Sequence, residues 1–104
     1  EAKPIKMDLA TWTTLQDDVL KVEQVEKLLG KNKSLRKEGD MLVLTYEVFV
    51  TKNKTCNLRI PFFYHNDNYV TNHARESAPE SMNFILTKGK DSGWCQEMFI
   101  RSVM

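Results

Sequence analysis

Two alternating apolar runs and a polar gap between them set the first structural expectation. In the first run Leu42, Leu44, Tyr46, Val48 and Val50 alternate with Met41, Val43, Thr45, Glu47 and Phe49. Successive side chains of an extended chain point to opposite faces, so the first set shares one face of a strand. In the second run Cys56, Leu58, Ile60, Phe62 and Tyr64 alternate with Asn57, Arg59, Pro61 and Phe63. The intervening Thr51 to Thr55 is wholly polar and suits the loop of a β-hairpin. Pro61 has no backbone donor, which predicts an edge or bulged position for the outer half of the second strand.

Upstream the period changes. Leu9, Trp12, Leu15, Val19, Val22, Val25 or Glu26, and Leu29 recur at helical spacing behind Asp8, a capping residue, and Gly30 follows as a stop. The pattern favours one helix as far as Leu29; a rival reading ends it near Leu20 and starts a strand at Val22. Lys31, Lys33, Arg36 and Lys37 then crowd into eight residues, with Leu35 able to anchor a strand that returns through Gly39-Asp40. The segment His65 to Pro79 is the most polar in the chain and reads as a loop or as part strand around Tyr69 and Val70. Ser81 to Lys88 is extended, with Met82, Phe84 and Leu86 on one face. Trp94 to Met104 reads as a last strand apolar on both sides, and hence central or covered. These elements predict an α+β domain over residues 1–104, an N-terminal helix packed on a curved antiparallel sheet of about four strands.

Composition narrows the function classes. A chain of 104 residues with 41% hydrophobic and 28% charged residues is ordinary for one globular domain. Its net charge of +1 offers nucleic acid little attraction, and the basic segment has no aromatic residues interleaved for base stacking. A solvated loop or an edge strand guarded by lysines is the simpler account of that segment. No apolar run reaches the roughly 18 residues of a membrane span. The chain opens at Glu1 without a leader, as a processed product or a fragment of a longer protein would.

Cys56 and Cys95 fit either one disulfide or two buried thiols. Asn32-Lys33-Ser34 and Asn53-Lys54-Thr55 both match the N-glycosylation pattern, although each also suits an ordinary turn. Together the cysteines and the two acceptors favour a secreted glycoprotein, with a cytoplasmic adaptor carrying reduced thiols as the alternative.

Reaction chemistry finds little foothold, so an enzyme is disfavoured and no cofactor is expected. His65 with Asp67 and His73 with Glu76 are the only histidine–carboxylate neighbours, and both pairs fall in the polar segment. The two histidines and two cysteines lack any zinc-site spacing. Asp17-Asp18 is an adjacent pair pointing in two directions along a helix, not an acid/base dyad. Trp12, Tyr46, Phe62, Tyr64, Phe84 and Trp94 are either plain core or the lining of an apolar pocket between helix and sheet.

The order of helix, basic segment, long strand, hairpin, polar loop and a final hairpin entering through Gly93-Trp94 resembles the later part of an NTF2-like domain. Two stretches carry the resemblance: Gly39-Asp40 leading into Met41 to Val50, and Trp94 to Ile100. The chain is similar in particular to small secreted NTF2-like proteins of nematodes. That resemblance implies further N-terminal helices, not seen before Leu9, and carries no catalytic residue over to this chain. A cystatin-like arrangement is the rival, but the chain has no Gln-x-Val-x-Gly hairpin to support protease inhibition. The expected function is a non-catalytic secreted module binding an unknown protein, and dimerising through its sheet. The alternatives are a carrier of a small apolar ligand, an isomerase-type enzyme or a cystatin-like inhibitor.

Overall fold

The structure, a computed structural model, describes residues 2–72, 85–87 and 93–104. In chain order it holds helices α1 (Leu9–Asp17) and α2 (Val22–Leu29), strands β1 (Ser34–Glu38), β2 (Met41–Phe49), β3 (Thr55–His65), β4 (Asn68–Val70) and β5 (Ile85–Thr87), and helix α3 (Gly93–Val103). The architecture is α+β: among the described residues, three helices and an open antiparallel sheet of five strands.

The predicted hairpin is its centre. Leu42 pairs with Phe62, Leu44 with Ile60, Tyr46 with Leu58 and Val48 with Cys56, so the two apolar faces coincide. A slip of one residue would turn every one of these side chains to the other face, and burial of the shared face holds the register. Leu44, Val48, Leu58, Ile60 and Phe62 are fully buried there, joined by Trp12 and Leu15 of α1, Val25 and Leu29 of α2, and Phe99 and Val103 of α3. The opposite face is more polar but not bare. Val43, Phe63 and Val70 are buried on it, outside the main core. Arg59 is ion-paired with Glu38, and Thr55 donates to Glu47 at 2.6 Å.

The short turns follow local chemistry. Glu38 pairs with Met41 across Gly39-Asp40, with Gly39 at φ 64, the left-handed first position that a type II′ turn requires. His65 pairs with Asn68 across Asn66 and Asp67, at φ 48 and 65, the two positive angles of a type I′ turn. Of the two readings of this segment, loop or part strand around Tyr69 and Val70, the strand holds for Asn68–Val70, the return arm of a second tight hairpin.

Pro61 occupies the position where its missing donor costs least. Ile5 exchanges hydrogen bonds with Glu47 and Phe49, and Lys33 donates to Thr45, so odd-numbered residues of β2 turn their polar groups away from β3. Pro61 pairs with Val43, one of that set, and its nitrogen consequently faces the outer edge of β3. On that edge β5 covers residues 57–59 and β4 covers 63–65, and Pro61 falls between them. The outer half of β3 is thus not an edge; the interruption is local to the proline.

Two elements differ from expectation. The single helix to Leu29 is broken at Asp18, whose extended backbone (φ −94, ψ 151) ends α1. The alternative strand from Val22 does not form either: Gln24 folds its side-chain carbonyl onto the Lys21 N–H at 2.8 Å and opens α2, which Gly30 closes at φ 84. The break is held from far along the chain. Asn72 donates to the carbonyls of Leu15 and Asp18, and Thr71 exchanges hydrogen bonds with Leu20.

The second difference is at the end of the chain, where Trp94 to Val103 is helix and not the expected last strand. Cys95, Phe99 and Val103 are four apart, a spacing that fits one strand face and one helix face alike. Gln96, Glu97, Met98 and Arg101 are good helix formers, and Glu97 accepts from Arg101 at 2.8 Å one turn on. Of the expected extended run from Ser81 to Lys88, residues 85–87 form β5; Met82 and Phe84 lie outside the described residues.

Candidate functional site

Cys56 on β3 and Cys95 on α3 form a disulfide, with Cα atoms 6.1 Å apart, linking the central strand to the last helix. Both cysteines are buried in the core. Lys54 lies over the Trp94 ring, 5.7 Å from its centroid, in a cation–π contact beside the bridge.

The aromatic residues considered as a pocket take three different places. Trp12, Tyr46 and Phe62 are buried core residues, and Trp12 meets Phe99 edge-on at 4.8 Å. The Tyr46 hydroxyl donates to the carbonyl of Gly30 at 2.8 Å, tying the end of α2 to β2. Burial, with the Glu26 charge adding to it, pushes the Tyr46 phenol up to about 12. Tyr64 is half exposed, stacks edge-on with Tyr69 and donates to Asp67 at 3.1 Å. Trp94 is partly buried against the core, and Phe84 lies outside the described residues.

Of the histidine pairs, His65 ends β3 beside its turn, where Asp67 accepts from Tyr64; His73 and Glu76 lie outside the described residues. Among the described residues no group of three or more histidine, cysteine or acidic side chains converges as a metal site. Nor, among them, is any helix long and apolar enough to cross a membrane.

The glycosylation acceptors also separate. Asn53 is exposed at the tip of the β2–β3 hairpin. Asn32 is half-buried, and its amide nitrogen donates to Glu26 at 3.3 Å.

A groove of about 730 Å³ opens between the same hairpin tip and α3. Phe49, Val50 and Met98 supply its apolar wall; Lys6, Lys52 and Arg101 stand around it, and no carboxylate is among its described lining residues. The hydroxyls present are already engaged: Ser102 donates to the Phe99 carbonyl at 2.7 Å, and Thr51 accepts from the Lys54 N–H at 3.0 Å. Sequence reasoning missed this site for an identifiable reason. As a strand, Trp94 to Met104 would put Met98 and Arg101 on opposite faces, whereas a helix places residues three and four apart side by side. A second, smaller cleft of about 280 Å³ is lined by Ala2, Lys3, Lys31, Lys33, Tyr46 and Glu47.

No family model, no curated protein and no solved structure matches this chain.

Proposed function

We propose that this chain is a non-catalytic binding module that works outside the reducing cytosol. The observation that carries the reading is the buried Cys56–Cys95 bridge, which fastens α3 to the central strand. Bridges of this kind persist in oxidising compartments and are rare where thiols are kept reduced. The exposed Asn53 at the hairpin tip supports the same reading, since a glycan there would extend into solvent without disturbing the core. Binding is assigned to the surface beside that tip because the space between helices and sheet is occupied by Tyr46, Phe62 and Leu44, while the neighbouring groove is open. Neither the NTF2-like nor the cystatin-like resemblance enters the proposal, since the final hairpin of the expected element order is the helix α3.

The test is expression through a eukaryotic secretory pathway, with intact mass measured before and after alkylation, reduction and glycosidase treatment. A bridged product carrying a glycan on Asn53 is the expected result. Two free thiols in protein purified from its natural source would overturn the extracellular reading.

A further inference from the structure

We infer that the groove between the β2–β3 hairpin tip and α3 is a binding site for a single-chain amphiphile with an anionic head, of the long-chain carboxylate class. The inference rests on the binding-module reading and names its ligand.

The volume of about 730 Å³ lies within the range of small-molecule sites, which are mostly apolar with a few polar groups that orient the ligand. Here the apolar part is Phe49, Val50 and Met98, a surface suited to an acyl chain. Met98 is unbranched and half-buried, the kind of side chain that adapts to a flexible tail.

The polar part is of one sign. Lys6 and Lys52 are exposed at the groove on separate segments, and Arg101 joins them from α3. Glu97 already holds Arg101 at 2.8 Å, so the attraction for an anionic head falls chiefly on the two lysines. A cationic head would meet the like charges of Lys6 and Lys52, and an uncharged one would leave them unused. The hydroxyls of Thr51 and Ser102 direct their single hydrogens to Asn53 and to the Phe99 carbonyl, so the donors left for an anionic head are the charged ones. A polar acidic peptide would satisfy the lysines but waste the apolar wall, which is why an acyl chain is favoured.

The test uses the oxidised full chain and three twelve-carbon probes below their aggregation concentrations: dodecanoate, dodecanol and dodecyltrimethylammonium. Binding is read by calorimetry and by the shifts of Met98 and Val50 methyl resonances. Dodecanoate is expected to bind at least about tenfold more tightly than the cationic probe. The double variant Lys6→Glu with Lys52→Glu, both at exposed positions, is expected to weaken dodecanoate about fivefold to tenfold, the scale of two reversed surface charges. Met98→Trp, which fills the groove, is expected to weaken all three probes. Equal binding of all heads, or insensitivity to the lysine reversals, would overturn the anionic class; failure of every probe would overturn the site. None of these outcomes alters the thiol and glycan measurements that test the module itself, so the two readings fail separately.

Discussion

Leu20 and Thr71 hold each other through two hydrogen bonds across 51 residues of chain. The Leu20 N–H donates to Thr71 Oγ1 at 3.0 Å, and the Thr71 N–H donates to the Leu20 carbonyl at 2.9 Å. Thr71 is fully buried, so neither bond can be replaced by water at once. Thr71→Val keeps the shape and deletes the acceptor, stranding the Leu20 N–H at a cost of about 1–3 kcal/mol. Thr71→Ser should retain most of the stability. Urea unfolding of the two variants beside the parent checks the contrast; a loss in Thr71→Ser with none in Thr71→Val would show that packing of the methyl group matters and the hydroxyl does not.

The bridge should be a large single contributor to stability. Closing a loop with a sequence separation of 39 residues restricts the unfolded chain by about 4 kcal/mol in the loop-entropy model. Replacing Cys56 and Cys95 together by alanine is expected to lower stability by that order, with the helix most affected being α3. Thermal unfolding followed by circular dichroism measures the loss, and hydrogen exchange along α3 reports where it falls.

Tyr46 makes a pH prediction whose sign follows from burial of the neutral phenol. With the folded value near 12 and the ordinary value of 10.0, the unfolded chain gives up its proton first as pH rises. The contribution is therefore fully present below about pH 10 and is lost as pH climbs toward 12. Tyr46→Phe removes this alkaline dependence and also removes the bond to Gly30, at a cost of about 0.5–1.5 kcal/mol at neutral pH. Phenolate absorbance against pH, parent beside variant, isolates the late-titrating group.

The two tight turns should respond to opposite substitutions. Gly39 sits at φ 64 with nothing within 4 Å of an added Cβ, so Gly39→Ala meets backbone strain alone, about 1–2 kcal/mol. Asp67 holds φ 65 in the other turn, where glycine is at ease. Asp67→Gly relieves left-handed strain but loosens the unfolded chain, a net stabilisation of about 0.5 kcal/mol, less what the exposed bond from Tyr64 contributes. Chemical denaturation of both single variants tests the pair.

The hairpin at the centre was legible because one physical pattern, alternation on a half-buried sheet, is local and strong. Leu44, Tyr46, Val48, Leu58, Ile60 and Phe62 face the core as their parity required. Gly39-Asp40 was legible too, since a left-handed turn position selects glycine. The break at Asp18 was not, because the apolar spacing from Leu9 to Leu29 is continuous and nothing local marks Thr71 and Asn72 as its partners. Nor was the groove, because Lys6, Lys52, Met98 and Arg101 belong to segments that meet only after folding.

By itself, then, the sequence determined the central β2–β3 hairpin and the turn at Gly39-Asp40, where each residue's preference depends on its near neighbours. Tertiary structure decided what periodicity leaves ambiguous: that a spacing of four through Cys95, Phe99 and Val103 winds as a helix, and that α1 stops where Asn72 can reach its carbonyls. Those outcomes depend on burial and on hydrogen-bond partners more than fifty residues away, and a local pattern carries no information about either.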